Sequence, residues 1–387
     1  MLIGGTGYLA IDFYLPSLPE IATYFKTDAQ TAQATIGSYF AGFTLITLIV
    51  GPISDYYGRR KIILISLALG FAFTLLTMLA SSIKILIAAR FLQGIALGSS
   101  TTISRALIPD VYHGEKRDKL IVYASFCYPL MLMFAPVIGG YIEQYYSWRT
   151  VFLALNMFIT VILLLCWYKL PETLAKPPKS SQPHRFNWRH YLNIYKNLMM
   201  NIPFMGYTFS LCFLMIIFIS YVQILPFILK QQYYFEPAQI GNIMLAISCF
   251  GLVGGALNSI IIKYIRQDQI LLLAILIIVT GSVLLLFEHL IHSIYYLTIA
   301  NGLINFAIPL VFSSTFALSY KFITRHYGAA SSISILCQKL GGIISAILVI
   351  SFKINNTRLL GLLCLISSLI FLATIFTLHR NYLGKTA

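Results

Sequence analysis

Three ionisable side chains stand inside stretches that are otherwise apolar: Asp12, Arg90 and Lys339. Charges in such surroundings are costly, so each is a candidate for chemistry. Asp12 lies about ten residues from either end of its stretch, roughly 15 Å at the helical rise, beyond the reach of so short a side chain to water. Burial disfavours the charged form of a carboxyl and a bound cation favours it, so a carboxyl here can trade a proton for another ligand. The competing reading is a structural acid neutralised by an arginine. Arg90 must pair or face water. It is either a cavity residue that orients a ligand or a polar strut between helices. Lys339, beside Gln338 and just before Leu340-Gly341-Gly342, is too deep to snorkel. It either faces a cavity, where it would meet Asp12 or an anionic ligand, or is a buried structural cation. With Arg90 and Lys339 both in the cavity, fixed positive charge would exceed negative and favour neutral or acidic ligands over lipophilic cations. Tyr221, Asn301 and Asn305 are further polar candidates for a cavity lining, with interhelical hydrogen bonding as the alternative.

The elements that must position these groups follow from composition. The 387 residues are 58% hydrophobic and only 10% charged, with a mean hydropathy of +0.82. A soluble domain cannot bury so much apolar surface. A cytosolic enzyme, a secreted domain and a disordered chain are therefore excluded in favour of a polytopic membrane protein. Twelve stretches are long enough to cross a bilayer: 2–22, 33–53, 62–81, 85–107, 119–142, 149–168, 203–226, 239–262, 269–287, 293–318, 328–350 and 359–378. They are continuous rather than alternating, which excludes a membrane β-barrel. The first opens at Met1 without a basic leader and contains Asp12, so it is expected to stay in place as a helix.

The longest polar interruption divides the crossings six and six. It predicts an N-terminal six-helix bundle over 1–168, a cytoplasmic linker over 169–202 and a C-terminal bundle over 203–387, arranged as parallel repeats. The chain carries 27 Lys plus Arg against 12 Asp plus Glu, a net charge of +15. With both termini cytoplasmic, eighteen of the cations fall in inside loops, six in outside loops and three within spans. That bias is an orientation signal. Spread over separate loops of one face, it speaks against a nucleic-acid partner.

No phosphate-binding loop for ATP, nucleophile elbow or metal-ligand spacing occurs, so no enzyme activity, cofactor or metal is expected. The cysteines sit singly in apolar runs and are expected to be unpaired. All seven histidines fall in loops or at span ends, which leaves Asp12 as the leading proton site.

The loop after the second span reads Gly51-Pro52-Ile53-Ser54-Asp55-Tyr56-Tyr57-Gly58-Arg59-Arg60-Lys61. It resembles the G-x-L-x-D-x-x-G-R-R/K signature of the major facilitator superfamily, with Ile at the Leu position. Arg90-Phe91-Leu92-Gln93-Gly94 resembles that superfamily's R-x-x-Q-G motif. Ala135-Pro136-Val137-Ile138-Gly139-Gly140 resembles its antiporter motif, with Ala135 and Met131 departing from two glycines. Asp12-Phe13-Tyr14-Leu15-Pro16, Leu170-Pro171-Glu172-Thr173 and Trp148-Arg149 narrow the resemblance to the bicyclomycin/chloramphenicol resistance branch of drug:proton antiporters. Thr47 departs from the Gln often found there.

The resemblance covers nearly the whole chain. It implies an all-α membrane protein with twelve transmembrane helices in two pseudo-symmetric bundles around a central cavity. The implied activity is proton-coupled efflux of small amphipathic molecules or antibiotics across a bacterial inner membrane by alternating access. A monomer is the expected state, with substrate, protons and lipid as its partners and no use of ATP. Asp12 would be the proton-coupling site. Gly51, Asp55, Gly58, Arg59 and Arg60, with Arg105 and Asp110, would form the gating loop, and Pro136, Gly139 and Gly140 the antiporter motif. The alternatives are transport of one metabolite (a siderophore, sugar or amino-acid derivative) on the same scaffold and, more remotely, a transport-inactive sensor.

Overall fold

The computed structural model describes residues 2–112, 114–173, 188–323 and 327–378, with Arg380. The linker cations Lys176, Lys179 and Arg185, as well as Arg325 and Lys385, lie outside the described residues. So do the side chains of Lys116, Arg117, Lys119 and Cys127.

All regular structure among the described residues is helical. In chain order the helices are α1 (Leu2–Asp12), α2 (Leu18–Tyr24), α3 (Ala29–Tyr57), α4 (Arg59–Met78), α5 (Ile83–Val111), α6 (Gly114–Tyr145), α7 (Trp148–Lys169), α8 (Trp188–Met199), α9 (Ile202–Gln232), α10 (Pro237–Ile261), α11 (Gln267–Ile291), α12 (Ile294–Tyr320), α13 (Tyr327–Ser351) and α14 (Thr357–Leu378). Ten of them are long and apolar enough to cross a membrane by themselves. The remaining two crossings are α6 and the first span.

That first span corrects the expectation of one helix over 2–22. It stops at Asp12, passes through a short 3-10 turn at Leu15–Ser17 and resumes as α2. Pro16 and Pro19 explain the break. Neither has an N–H, so the carbonyls of Asp12 and Leu15 lose their normal helical donors. Leu15 recovers one from the Leu18 N–H. The linker also holds an element that was not foreseen, the amphipathic helix α8, whose Leu198 is buried.

Local signals set the helix starts. Asp28 accepts the Thr31 N–H at 3.2 Å as the cap of α3. Its hydrogen bonds with Thr31 hold its carboxyl below the usual carboxylate range. Asn201 caps α9 by accepting the Phe204 N–H, while its amide donates to the Phe322 carbonyl. Glu288, fully buried on α11, accepts from the Tyr233 hydroxyl and from Thr357, which ties the ends of α9, α11 and α14 together.

The helices before the linker pack on one another, chiefly α3 on α5, α4 on α5 and α4 on α7. Those after it do the same, chiefly α11 on α12, α9 on α13 and α11 on α14. The two groups meet along α6 with α10 and α3 with α13, and where α2 and the 3-10 turn touch α9. The tight approaches cluster towards the end of the bundle that carries the connections at 25–28, 146–147 and 233–236. There Gly140 lies against the Pro237 carbonyl, Gly241 against the Pro136 carbonyl and Gly37 against Ala346. The Ala238 N–H donates to Gln144 across the same seam, at 3.2 Å.

Two motif glycines differ in what surrounds them. A Cβ on Gly94 would overlap the Tyr39 carbonyl oxygen, whereas one on Gly51 would meet nothing within 4 Å. Gly94→Ala is therefore expected to lower the thermal unfolding temperature in detergent, at an overpacking cost of about 1–3 kcal/mol. Gly51→Ala should leave it unchanged or raise it, since Ala in a helix is favoured over Gly by about 0.5–1 kcal/mol.

Candidate functional site

Arg90 closes the break in the first span. Its Nη1 donates to the Ala10 carbonyl at 2.9 Å and to Gln93 Oε1 at 2.5 Å. Gln93 in turn donates to Thr74, and Thr74 to the Gly70 carbonyl. The guanidinium lies between the rings of Tyr14 and Tyr39, at 4.3 and 4.5 Å. Tyr39 donates to the Gly7 carbonyl at 2.6 Å, and Tyr14 shares a hydrogen bond with Thr35. A cation at the C-terminal end of a half-helix also meets the negative end of its dipole. The arginine has no exposed surface. It therefore does not line open space, contrary to the cavity placement expected for it. Ring faces on both sides and the broken helix at Nη1 match the strut alternative, while Nε and Nη2 have no hydrogen-bond partner among the described residues.

Asp12, at the last position of α1, is half-buried. It is electrostatically coupled to Lys339 on α13 and to Tyr221 on α9, both from the opposite group of helices. Asn305 on α12 donates to the Tyr221 hydroxyl. Lys339 is buried, with its ammonium 4.4 Å from the Tyr8 ring centre, 4.2 Å from Phe43 and 5.4 Å from Phe40. All three rings belong to α1 and α3, so the lysine spans the seam. Cation–π attraction is strongest in such desolvated settings.

The fold thus brings Asp12, Tyr221, Asn305 and Lys339 to one level between the two groups. Gln338 is buried, and its Nε2 has no partner among the described residues. Asn301 is not brought to this level by any contact. It is fully buried and donates to Leu297 of its own helix.

The gating residues occupy the opposite end of the same helices. Gly51 and Pro52 lie within α3 rather than in a turn, and the reversal falls on Gly58 alone, at φ 100°. Arg59 pairs with Asp55 at 2.7 Å and Asp110 at 2.8 Å, and donates to Ser54. These contacts join α3, α4 and α5. Arg105 does not join them; it reaches back to the Tyr8 hydroxyl at 2.9 Å. Tyr8 therefore touches both Arg105 and the Lys339 cage.

Glu172 was missed as a site residue. Its two oxygens accept the N–H groups of Arg59 and Arg60 at 3.0 and 3.2 Å, capping α4 from the far end of α7. Arg60 donates to the Trp167 carbonyl. The available signal was the Leu170-Pro171-Glu172-Thr173 stretch, which places an acid next to a helix start that lacks its own side-chain cap.

In the antiporter motif, a Cβ on Gly139 would strike the Phe13 carbonyl at the break. The motif therefore seats α6 on the interrupted span and, through Pro136 and Gly140, on α10. Among the described residues no cluster of metal-ligating side chains occurs.

The family model described as Major Facilitator Superfamily matches residues 1–346. The chain is 30% identical over 98% of its length to an uncharacterized MFS-type transporter, YdgK, of Bacillus subtilis (strain 168), of which the match covers 94%. It is 29% identical to a bicyclomycin resistance protein homolog of Haemophilus influenzae, where the match spans 52% of this chain and 50% of the relative. The crystal structure of a D-xylose-proton symporter superposes over 96% of this chain and 95% of its own, with a TM-score of 0.75 at 14% identity, a likeness of fold.

Two substitutions test the geometry. Arg90→Ala should lower thermal stability well beyond Glu172→Ala in the same unfolding assay. The first strands buried acceptors at about 1–3 kcal/mol each. The second removes a partly exposed helix cap worth about 1 kcal/mol.

Proposed function

The chain belongs to the major facilitator superfamily, and we propose that within it the protein is a proton-coupled exporter of small amphipathic molecules, of the bicyclomycin/chloramphenicol branch. The observation that carries this reading is the position of Asp12. It is an acid at the end of a broken half-helix, at the level where the two helix groups meet, with Lys339 and Tyr221 of the other group in its field. A proton and a substrate that compete for one such carboxyl are coupled without any further machinery. The naming of the Haemophilus relative for bicyclomycin resistance supports efflux as the direction.

In this reading, 1–168 and 203–387 are the two rocking bodies and 169–202 is their cytoplasmic link. The protein is a monomer of the bacterial inner membrane with both termini cytoplasmic, driven by the proton gradient rather than ATP. With that orientation, the glycine-lined approaches of α6 to α10 lie on the outer side, and the molecule is closed to the outside. Substrate enters from the cytoplasm or inner leaflet. The two bodies then rock, substrate leaves, and Asp12 reloads with a proton from outside. The Asp55–Arg59–Asp110 link and the Glu172 cap hold α3, α4 and α5 as one unit during that motion.

Arg90 is enclosed within one helix group, whereas Lys339, though buried, reaches across the seam that rocking opens, so the fixed charges left to meet substrate are Asp12 and Lys339. In an efflux-deficient bacterium, Asp12→Asn is expected to abolish proton-gradient-dependent efflux and drug resistance while leaving membrane expression unchanged. A resistance panel and vesicle transport read this, and resistance equal to that of the unsubstituted protein would refute the coupling role. Lys339→Ala should raise efflux of ethidium-like cations relative to neutral substrates at least several-fold. An unchanged ratio would remove Lys339 from substrate selection.

A further inference from the structure

A second acid near the seam is more deeply buried than Asp12. Glu143 lies on α6, one turn beyond Gly139 and Gly140, with 6% of its surface exposed. Its Oε2 is buried and has no hydrogen-bond partner among the described residues. The contrast with Glu288 is informative, since that carboxylate receives hydroxyl donors on both oxygens. Beside Glu143 stands Ser17 of the 3-10 turn, fully buried, whose hydroxyl offers the carboxyl a hydrogen bond that falls short of full geometry. A carboxylate held this way is poorly served; a carboxylic acid is not, because it has a proton of its own to donate.

The charged and titratable groups on the elements packed around this end of α6 are few. From α2 comes Glu20, an exposed acid whose field acts directly on Glu143. From α10 comes Glu236, engaged by Lys230 at 3.6 Å. From α7 comes Arg149, stacked on Trp148 and Tyr24 and donating to the Ala80 carbonyl. The connection after α2 carries Lys26, α1 ends at Asp12, and α6 itself bears Tyr141 and Tyr145. Within hydrogen-bond reach of Glu143, none of these supplies a cation.

Glu143 also sits where the two bodies touch. Its neighbour Gln144 accepts the Ala238 N–H from α10, and Gly140 presses on Pro237. We propose that Glu143 is a second proton-binding site, located in the outer gate, whose protonated form fits the closed gate and whose ionised form drives it open. Ionisation would place a carboxylate in a water-poor seam beside the like charge of Glu20, and separating α6 from α10 hydrates it. The proton arrives from outside, so an acidic exterior holds the gate shut and an alkaline one releases it. This rests on the alternating-access reading above, but its test needs no substrate.

Spin labels at Tyr146→Cys and Tyr234→Cys, both exposed and on opposite sides of the gate, would report its opening as a distance. The background would be a chain with its six cysteines replaced, reconstituted in vesicles. The long-distance population should rise several-fold from acid to alkaline pH, and Glu143→Gln should hold the short distance throughout. Glu143→Asp should keep the response, which guards against a folding failure of the amide variant. Glu20→Gln should move the midpoint to lower pH, because removing a neighbouring negative charge eases ionisation. A pH response that survives Glu143→Gln overturns the proposal, as does one that persists in Glu143→Gln and vanishes in Asp12→Asn. If the gate responds as expected while vesicles show no proton-driven export, the export reading fails and the gate site stands.

Discussion

A helix that stops halfway across a hydrocarbon layer leaves carbonyls without donors, and no water is there to supply them. The first span does this at Asp12, and Arg90 answers it by donating to Ala10. Much of the surrounding design follows. The guanidinium needs enclosure, which Tyr14 and Tyr39 provide with their ring faces. It needs an anchor on its own helix, which Gln93 provides, and Gln93 needs Thr74. Gly94 and Gly42 let α3 and α5 approach closely enough to form this enclosure. The interruption in turn delivers the carboxyl of Asp12 to the level at which the two groups of helices face each other.

The seam between those groups is built on a different principle. On one side of it, glycines bring backbone against backbone, as at Gly140 with Pro237 and Gly241 with Pro136. At mid-depth, contact is made by one ammonium among three rings, from α13 into α1 and α3. The first device interlocks no long side chains, and the second inserts one. Around both devices the apolar core is continuous from one group to the other, with Leu18 and Ile21 in the same buried cluster as Ile224 and Leu225.

How much of this could be read from the chain alone depended on distance in sequence. The crossings were legible because each is a continuous local run, and the Asp55–Arg59 pair because its partners are one helical turn apart. The break was only half legible. Pro16 and Pro19 announced a bend, but the need of the Ala10 carbonyl just before it becomes visible only once Arg90 is seen reaching it. Arg90 and Lys339 were legible as misplaced charges, yet not by role. Helices apolar on every side give no sign of which face meets a partner helix, so an enclosed strut and a seam cation look alike. Glu172 was missed for the same reason. Its partners are the N–H groups of Arg59 and Arg60, and backbone donors leave no trace in residue type.

The clasp of Glu172 over the start of α4 has a consequence for how this chain can change. Gly58 must lack a side chain for its positive φ, and a Cβ there would also push aside the Glu172 carboxylate. The two positions touch, although four helices, α4 to α7, lie between them in the chain. Loss of the acid would expose the helix start yet leave the demand for glycine at the turn in place. A larger residue at the turn would evict the acid. Drift in this region is therefore one-sided: the acid can be exchanged while the glycine stays, but the glycine is held by its backbone even when the acid has gone.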